Sequence, residues 1–426
     1  MSKDKRVVIV GAGFTGLAAA WELKKKGWKV IIVEADKKAG GLAAGFKKSN
    51  WDWSLEYFYH HLFASDKDIL KLIDDLGLRQ NLIFKRPVTA IWVKGQQIKF
   101  DSVIDVLNYR YLSLLDKLHL GAGLGFLKLW PWGVKLEKWE AYKALKVLLG
   151  GKGYTEVFEP LLEAKFGKWA KTVNLAWFWA RIKARTAKLG YYKGGFGQMA
   201  DDIVEKLQAK GVVCKLDEKV VGLAKDQKGL KVKSKKQEYR ADKVIITTPP
   251  YQWQEWLPGL KKFYQKHFKT KRFLGAQTLV LRLKKPFLGH TYWLNINQKN
   301  YPFLIVAEHT NFMDKKHYGN EHLVYVGNYL SINQPEWQES KEELMIKFWP
   351  FLTKINHDLK KADVIGVEKF QAAFAQPVVG VNYSKQIPPF ATGVKGVYVA
   401  NMFQVYPWDR GINYAVRLGK KVVSLI

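Results

Sequence analysis

Gly11, Gly13 and Gly16 stand in a Gly-x-Gly-x-x-Gly spacing, and Glu34 follows 18 residues after the last of them. Those types at those spacings suit the binding of a dinucleotide. Gly11 permits a tight turn from strand to helix, Gly13 lets the backbone approach a pyrophosphate, and Gly16 lets the helix pack closely on a sheet. The N–H groups at the helix start, around Ala12, Phe14 and Thr15, are then expected to face the phosphates. Glu34, with Ala35 beside it, is placed to accept hydrogen bonds from a ribose; a carboxylate there favours a free 2′-hydroxyl and repels a 2′-phosphate.

The elements that must hold these residues are legible around them. Residues 7–10 are a β-branched run that reads as a strand buried on both faces, an Ala/Leu-rich helix follows Gly16, and residues 30–33 are a second apolar strand. Further on, Ser65-Asp66-Lys67-Asp68 reads as a capping box ahead of a helix closed by Gly77. Residues 82–100 read as a hairpin turning at Lys94-Gly95. Residues 102–190 are helical by period and rich in Leu, Trp and Lys, as in Leu127-Lys128-Leu129-Trp130-Pro131-Trp132. Lys with Trp and Leu on one surface is what an interfacial membrane segment needs; aromatics lining a core and a substrate cavity is the other reading. Residues 251–376 alternate strands with one helix, expected over residues 341–359, and read as an antiparallel sheet walling a cavity.

Other chemistries find no support. There is no Gly-x-Ser-x-Gly elbow, no Walker loop and no His/Asp/Glu set at metal-ligand spacing. Cys214 is the single cysteine, which excludes an intrachain disulfide and a Cys-based metal site and fits a reducing compartment. The formal net charge of +32 suits an anionic partner such as acidic lipid or an anionic substrate, although the lysines are dispersed as on ordinary solvated faces. No RNA-recognition signature accompanies the charge, so no specific nucleic acid is expected. Met1 to Lys5 leave no room for a signal peptide, and the uncharged run at residues 118–127 is half a membrane span. The expectation is a cytoplasmic protein without a transmembrane helix, with an anionic membrane surface as a candidate partner on the inner face.

Beyond Glu34, Ala39-Gly40-Gly41-Leu42 suits a chain passing along an extended cofactor. Here the sequence resembles the flavoprotein family of flavin-containing amine oxidases, protoporphyrinogen oxidases and carotenoid-type desaturases. An Arg often follows the glycine pair in that family; this chain has Leu42. The resemblance continues through Tyr191-Tyr192-Lys193-Gly194-Gly195 and Val220, whose backbone the family places against adenine. It includes the strand ending at Thr247-Thr248-Pro249-Pro250 and the helix entry from Tyr406 through Asp409, Arg410, Gly411, Ile412 and Asn413. The N-terminus of that last helix is expected at the flavin's pyrimidine end. Asn401-Met402 replace the family's Gly and acid near the ribityl and phosphate, and Asp409-Arg410 are the candidates to compensate. His60 and His61 fall where the family passes near the flavin ring, each a hydrogen-bond donor to flavin or a base, or simply packed; His61-Leu62-Phe63 also resembles a segment of UDP-galactopyranose mutases.

The resemblance implies an α/β fold: a discontinuous Rossmann-type FAD domain from residues 1–60, 191–250 and 377–426, and a mixed α+β substrate domain from residues 61–190 and 251–376. It implies FAD as cofactor and hydride transfer to flavin N5 from an organic substrate, lipophilic or aromatic (protoporphyrinogen-, amine- or polyene-like), with the electron acceptor open. Two alternatives stand beside it: a non-redox mutase acting on a nucleotide sugar, and a basic membrane- or nucleic-acid-binding protein with a structural Rossmann core.

Overall fold

In a computed structural model, which describes residues 5–426, the chain winds around a five-stranded parallel sheet. Met1 to Asp4, which carry the expectation about a leader, lie outside the described residues. The strand order is Val213–Lys215, Lys29–Val33, Arg6–Val10, Lys243–Ile246 and Val397–Val399. Arg6–Val10 is central, and its β-branched run is buried on both faces because alternate side chains enter different layers. Val7 and Ile9 pack with helix Phe14–Lys25, while Val8 and Val10 pack with Leu223, Val232 and Tyr239 of a three-stranded antiparallel sheet. Helix Ile412–Val423, from the far end of the chain, lies on helix Phe14–Lys25; a methyl group at Gly419 would overlap the Thr15 carbonyl oxygen.

The second unit is built on a seven-stranded sheet. Its order is Val364–Pro377, Phe273–Leu283, His322–Leu330, Ile305–Glu308, Thr291–Ile296, Val88–Val93 and Gln96–Lys99. The hairpin at Lys94-Gly95 is present, with both residues at positive φ. The sheet, expected to be antiparallel, is mixed: Val88–Val93 runs parallel to Thr291–Ile296. That pairing joins the two insertions, so no local pattern announces it. The helix expected to reach residue 359 ends at Ile355, because Asn356 leaves the helix to bond Phe287 and Asp358.

The capping box at Ser65–Asp68 is not formed. Asp66 instead accepts from Phe63 N at 2.8 Å. The first N–H groups of helix Lys67–Asp75, those of Asp68 and Ile69, donate to Asn413 Oδ1 at 2.8 and 3.1 Å, so a residue of the last helix caps this one. Glu56 makes a similar long-range tie. Its buried carboxylate accepts from Phe196 N at 2.7 Å, at the start of helix Phe196–Ala209, and from Tyr191 Oη. Burial pushes its pKa up to about 7 against those bonds.

Candidate active site

A single cavity of about 1480 Å³ runs from the glycine turn into the helical insertion. At one end Gly11 sits at φ +107°, and Thr247 Oγ1 donates to Val10 O at 2.9 Å across the adjoining strand. A side chain at Gly16 would overlap the Gly11 carbonyl oxygen, whereas a Cβ at Gly13 would meet nothing, so the backbone there is open to an approaching group. Helix Phe14–Lys25 begins without a side-chain cap, which leaves its positive end facing the cavity. Gly40 and Gly41, both at positive φ, bring the next turn against this one: Gly40 N donates to Ala12 O at 2.9 Å.

Glu34 is fixed by the turn it serves. Its Oε2 accepts from Ala12 N at 2.6 Å and its Oε1 from Asp36 N at 2.9 Å. Burial pushes its pKa up, and those two backbone bonds oppose the rise. A carboxylate has about four acceptor sites, so lone pairs remain for a ribose. Of the residues expected at the cofactor, Gly11, Gly13, Phe14, Thr15, Glu34, Ala35, Gly40, Gly41, Leu42, Val220, Thr247, Asn401, Met402, Arg410, Gly411 and Ile412 line the cavity. Ala12 and Gly16 do not: the Ala12 N–H is spent on Glu34, and Gly16 faces Gly11.

In the middle of the cavity two polar groups stand unmet. Asn401 Oδ1 accepts from Phe403 N at 3.1 Å, but its buried Nδ2 has no partner, and neither has Thr248 Oγ1. Helix Ile412–Val423 starts here behind Gly411, again without a side-chain cap. Arg410, which lines the same cavity, bonds Gln376 and Tyr329 through its guanidinium and so marks the start of the next chamber.

That chamber holds His60 and His61. His60 Nδ1 lies 2.6 Å from Phe58 O; His61 Nδ1 is buried with no partner, and its ring packs edge-on against Phe63 and Trp293. Burial pushes the two pKa values down to about 4 and about 3. Both rings are neutral near pH 7 and stand in the cavity as uncharged hydrogen-bonding groups. Beyond them lies a charged cluster that the residue pattern did not reveal. Asp409 accepts from Lys165 Nζ at 3.2 Å, from Trp177 Nε1 at 3.2 Å and from Arg181. Burial alone would raise the Asp409 pKa, but Lys165, Arg181 and Arg410 override it and hold the carboxyl well below the usual range. Asp409 is therefore committed to this cluster and does not replace the missing acid near Asn401. Arg86, Arg181, Arg185, Arg410 and Lys165 outnumber Asp66, Asp101 and Asp409 along this part of the wall, among Phe58, Trp177, Phe178 and Trp293.

The flavin containing amine oxidoreductase family model matches residues 14–426. The chain belongs to this family. Mitochondrial protoporphyrinogen oxidase of Nicotiana tabacum is 34% identical over 122 residues, which cover 28% of this chain and 24% of that enzyme. The chain thus aligns with about a quarter of that relative's length. Among solved structures, an oxidoreductase from Methanosarcina mazei superposes with a TM-score of 0.75 at 18% identity, covering 98% of this chain and 100% of that one. Reduced UDP-galactopyranose mutase gives 0.72 at 15%, covering 99% and 95%. At such identities these two matches speak to the fold, which is that of the family.

The residues present fit the flavin containing amine oxidoreductase cofactor, FAD. The fingerprint turn offers an open backbone and a bare helix start for a pyrophosphate, Glu34 retains acceptors for a ribose, and the unmet Asn401 and Thr248 groups border the path between the two helix starts.

Proposed function

We propose that the protein is an FAD-dependent oxidoreductase acting on a large organic substrate that carries negative charge. One observation carries the reading: the cavity that begins at the dinucleotide turn continues into a chamber with an aromatic wall and an excess of arginine. Bound FAD supplies the redox chemistry, taking up a hydride from a carbon of the substrate.

The chain's own residues bind and orient. Gly11 to Thr15, Glu34, Gly40 and Gly41 would hold the adenosine and pyrophosphate, and Val220 would lie along the adenine. Thr247, Thr248, Asn401 and Met402 would line the ribityl path, and the start of helix Ile412–Val423 would favour negative charge beside it. His60 and His61 would present uncharged ring edges. Trp177, Phe178 and Trp293 exclude water and suit a flat apolar body, while Arg181, Arg185 and Arg410 suit carboxylates. A porphyrinogen with acidic side chains fits this wall better than a neutral polyene, and better than a small cationic amine, which the arginines repel.

The same arginines suit the phosphates of a nucleotide sugar, which keeps a non-redox mutase as the second reading. Anaerobic mixing distinguishes them. The FAD-loaded protein should lose its flavin absorbance at roughly 450 nm, a property of the cofactor, as one equivalent of an acidic porphyrinogen gives up two electrons, the first of the three such steps that lead to a porphyrin. Turnover of a nucleotide sugar with no electron acceptor and no net redox change would replace the oxidoreductase reading. A colourless protein that cannot be reconstituted with FAD would end both.

A further inference from the structure

The exposed apolar surface is unevenly placed. Of the 20 large hydrophobic side chains exposed among the described residues, 12 fall between residues 103 and 147. They lie on helices Val103–Leu107, Leu114–Leu129 and Ala141–Leu148, which pack on one another, and on the turns between them. Helix Leu114–Leu129 is apolar on its inner and on its outer side, with Asp116, Lys117, His119 and Lys128 as its only charged or ionisable residues. Leu120, Gly123 and Leu127 face the interior, while Leu115 (78% exposed), Leu118, Phe126 and Leu129 (80%) form a stripe at helical spacing on the other side. A surface helix normally carries polar residues there. Single exposed leucines need no explanation; a contiguous field of them does.

The charges around the field say what covers it. The exposed residues of this segment include Arg110, Lys128, Lys135, Lys138, Lys143 and Lys146, and no Asp or Glu. Each of the segment's four carboxylates already has a partner. Asp105 bonds Ser102, Asp116 forms a capping box with Ser113, Glu137 is buried against Ser384, and Glu140 pairs with Lys143. Trp132 and Trp139 stand exposed beside Lys135 and Lys138, the mixture that sits at a headgroup boundary. A two-fold contact with a second copy would set six cations against six, with Glu140 the one acid paired among them. No helix among the described residues is long and apolar enough to cross a membrane.

We infer that residues 103–147 dock the protein onto an anionic lipid bilayer, with helix Leu114–Leu129 sunk among the acyl chains and the lysines among the headgroups. The docked face adjoins the rim of the cavity. Lys128 Nζ donates to the carbonyls of Ile182 and Arg185, and both residues line the cavity; Asp101, also on its wall, directly precedes the cap of helix Val103–Leu107. A lipophilic substrate therefore has a short path from bilayer to chamber.

Sedimentation of the FAD-loaded protein with vesicles tests this. Vesicles of phosphatidylcholine with added phosphatidylglycerol should pellet it, phosphatidylcholine alone should pellet little, and salt should weaken the binding. The triple variant Leu115→Ser, Leu118→Ser, Leu129→Ser should partition at least about tenfold less. Lys135→Glu, Lys138→Glu, Lys146→Glu together should erase the preference for anionic lipid. Flavin content and turnover of a soluble substrate should be unchanged in both, which separates this inference from the proposed activity. It is overturned if the wild type stays in the supernatant with either lipid, or if the leucine variant pellets as well as the wild type. A concentration-dependent dimer, lost in the leucine variant without any vesicle binding, would assign the face to a second copy instead.

Discussion

His61 shows what burial does to a group whose type suggests proton chemistry. In an unfolded chain its pKa is near 6.5; in the fold burial lowers it to about 3. Between those values the unfolded chain takes up a proton that the folded protein refuses, so stability present above pH 6.5 falls as the pH drops. At pH 5 the loss attributable to this ring is about 2 kcal/mol. His61 has no hydrogen-bond partner at Nδ1 and lies among aromatic rings, so His61→Phe should fold. Urea denaturation at pH 7 and pH 5 should show the wild type losing about 2 kcal/mol more than this variant on acidification; equal losses would mean that the ring titrates normally. The pair His60-His61 was conspicuous as a sequence feature, but whether a histidine is a base or a neutral wall depends on what surrounds it. Lys165 is the converse. In a chain this rich in lysine nothing marks it, yet the fold buries it against Asp409 and Trp177.

At the scale of elements, what could be read was what is local. The strand Arg6–Val10, its glycine turn and helix Phe14–Lys25 lie within 20 residues of one another, and the pattern of residue types follows their geometry directly. The hairpin at Lys94-Gly95 was readable for the same reason. The period of helix Lys67–Asp75 was legible too, but its cap was not, because Asn413 comes from 345 residues away. Asn413→Ala would leave the Asp68 and Ile69 N–H groups without their acceptor, costing about 1–2 kcal/mol. It would also loosen the start of helix Ile412–Val423 where that helix borders the FAD site. Thermal melts should show a lower Tm and faster loss of flavin, whereas Asn413→Asp, which keeps an acceptor, should restore most of both. An unchanged Tm in the alanine variant would mean that water replaces the cap freely.

Charge is the property that belongs to the whole molecule. A net +32 attracts any anion, yet the helical insertion and the cavity use it differently. On the helical insertion, cations rim an apolar field in open solvent, where salt screens them within about 8–10 Å at physiological ionic strength. Inside the cavity, Arg181, Arg185 and Arg410 act among aromatic rings, and part of their field survives screening. The two effects separate in steady-state kinetics. For a substrate bearing carboxylates, kcat/KM should fall as ionic strength rises, because long-range attraction speeds encounter, while kcat should hold nearly constant. The methyl ester of the same substrate should show no such fall. Arg185→Gln should raise KM for the acid far more than for the ester, because it removes a contact specific to the carboxylate and leaves the remaining surface charge almost as it was. If acid and ester respond alike to salt and to that variant, the arginines hold the wall together and do not select the substrate.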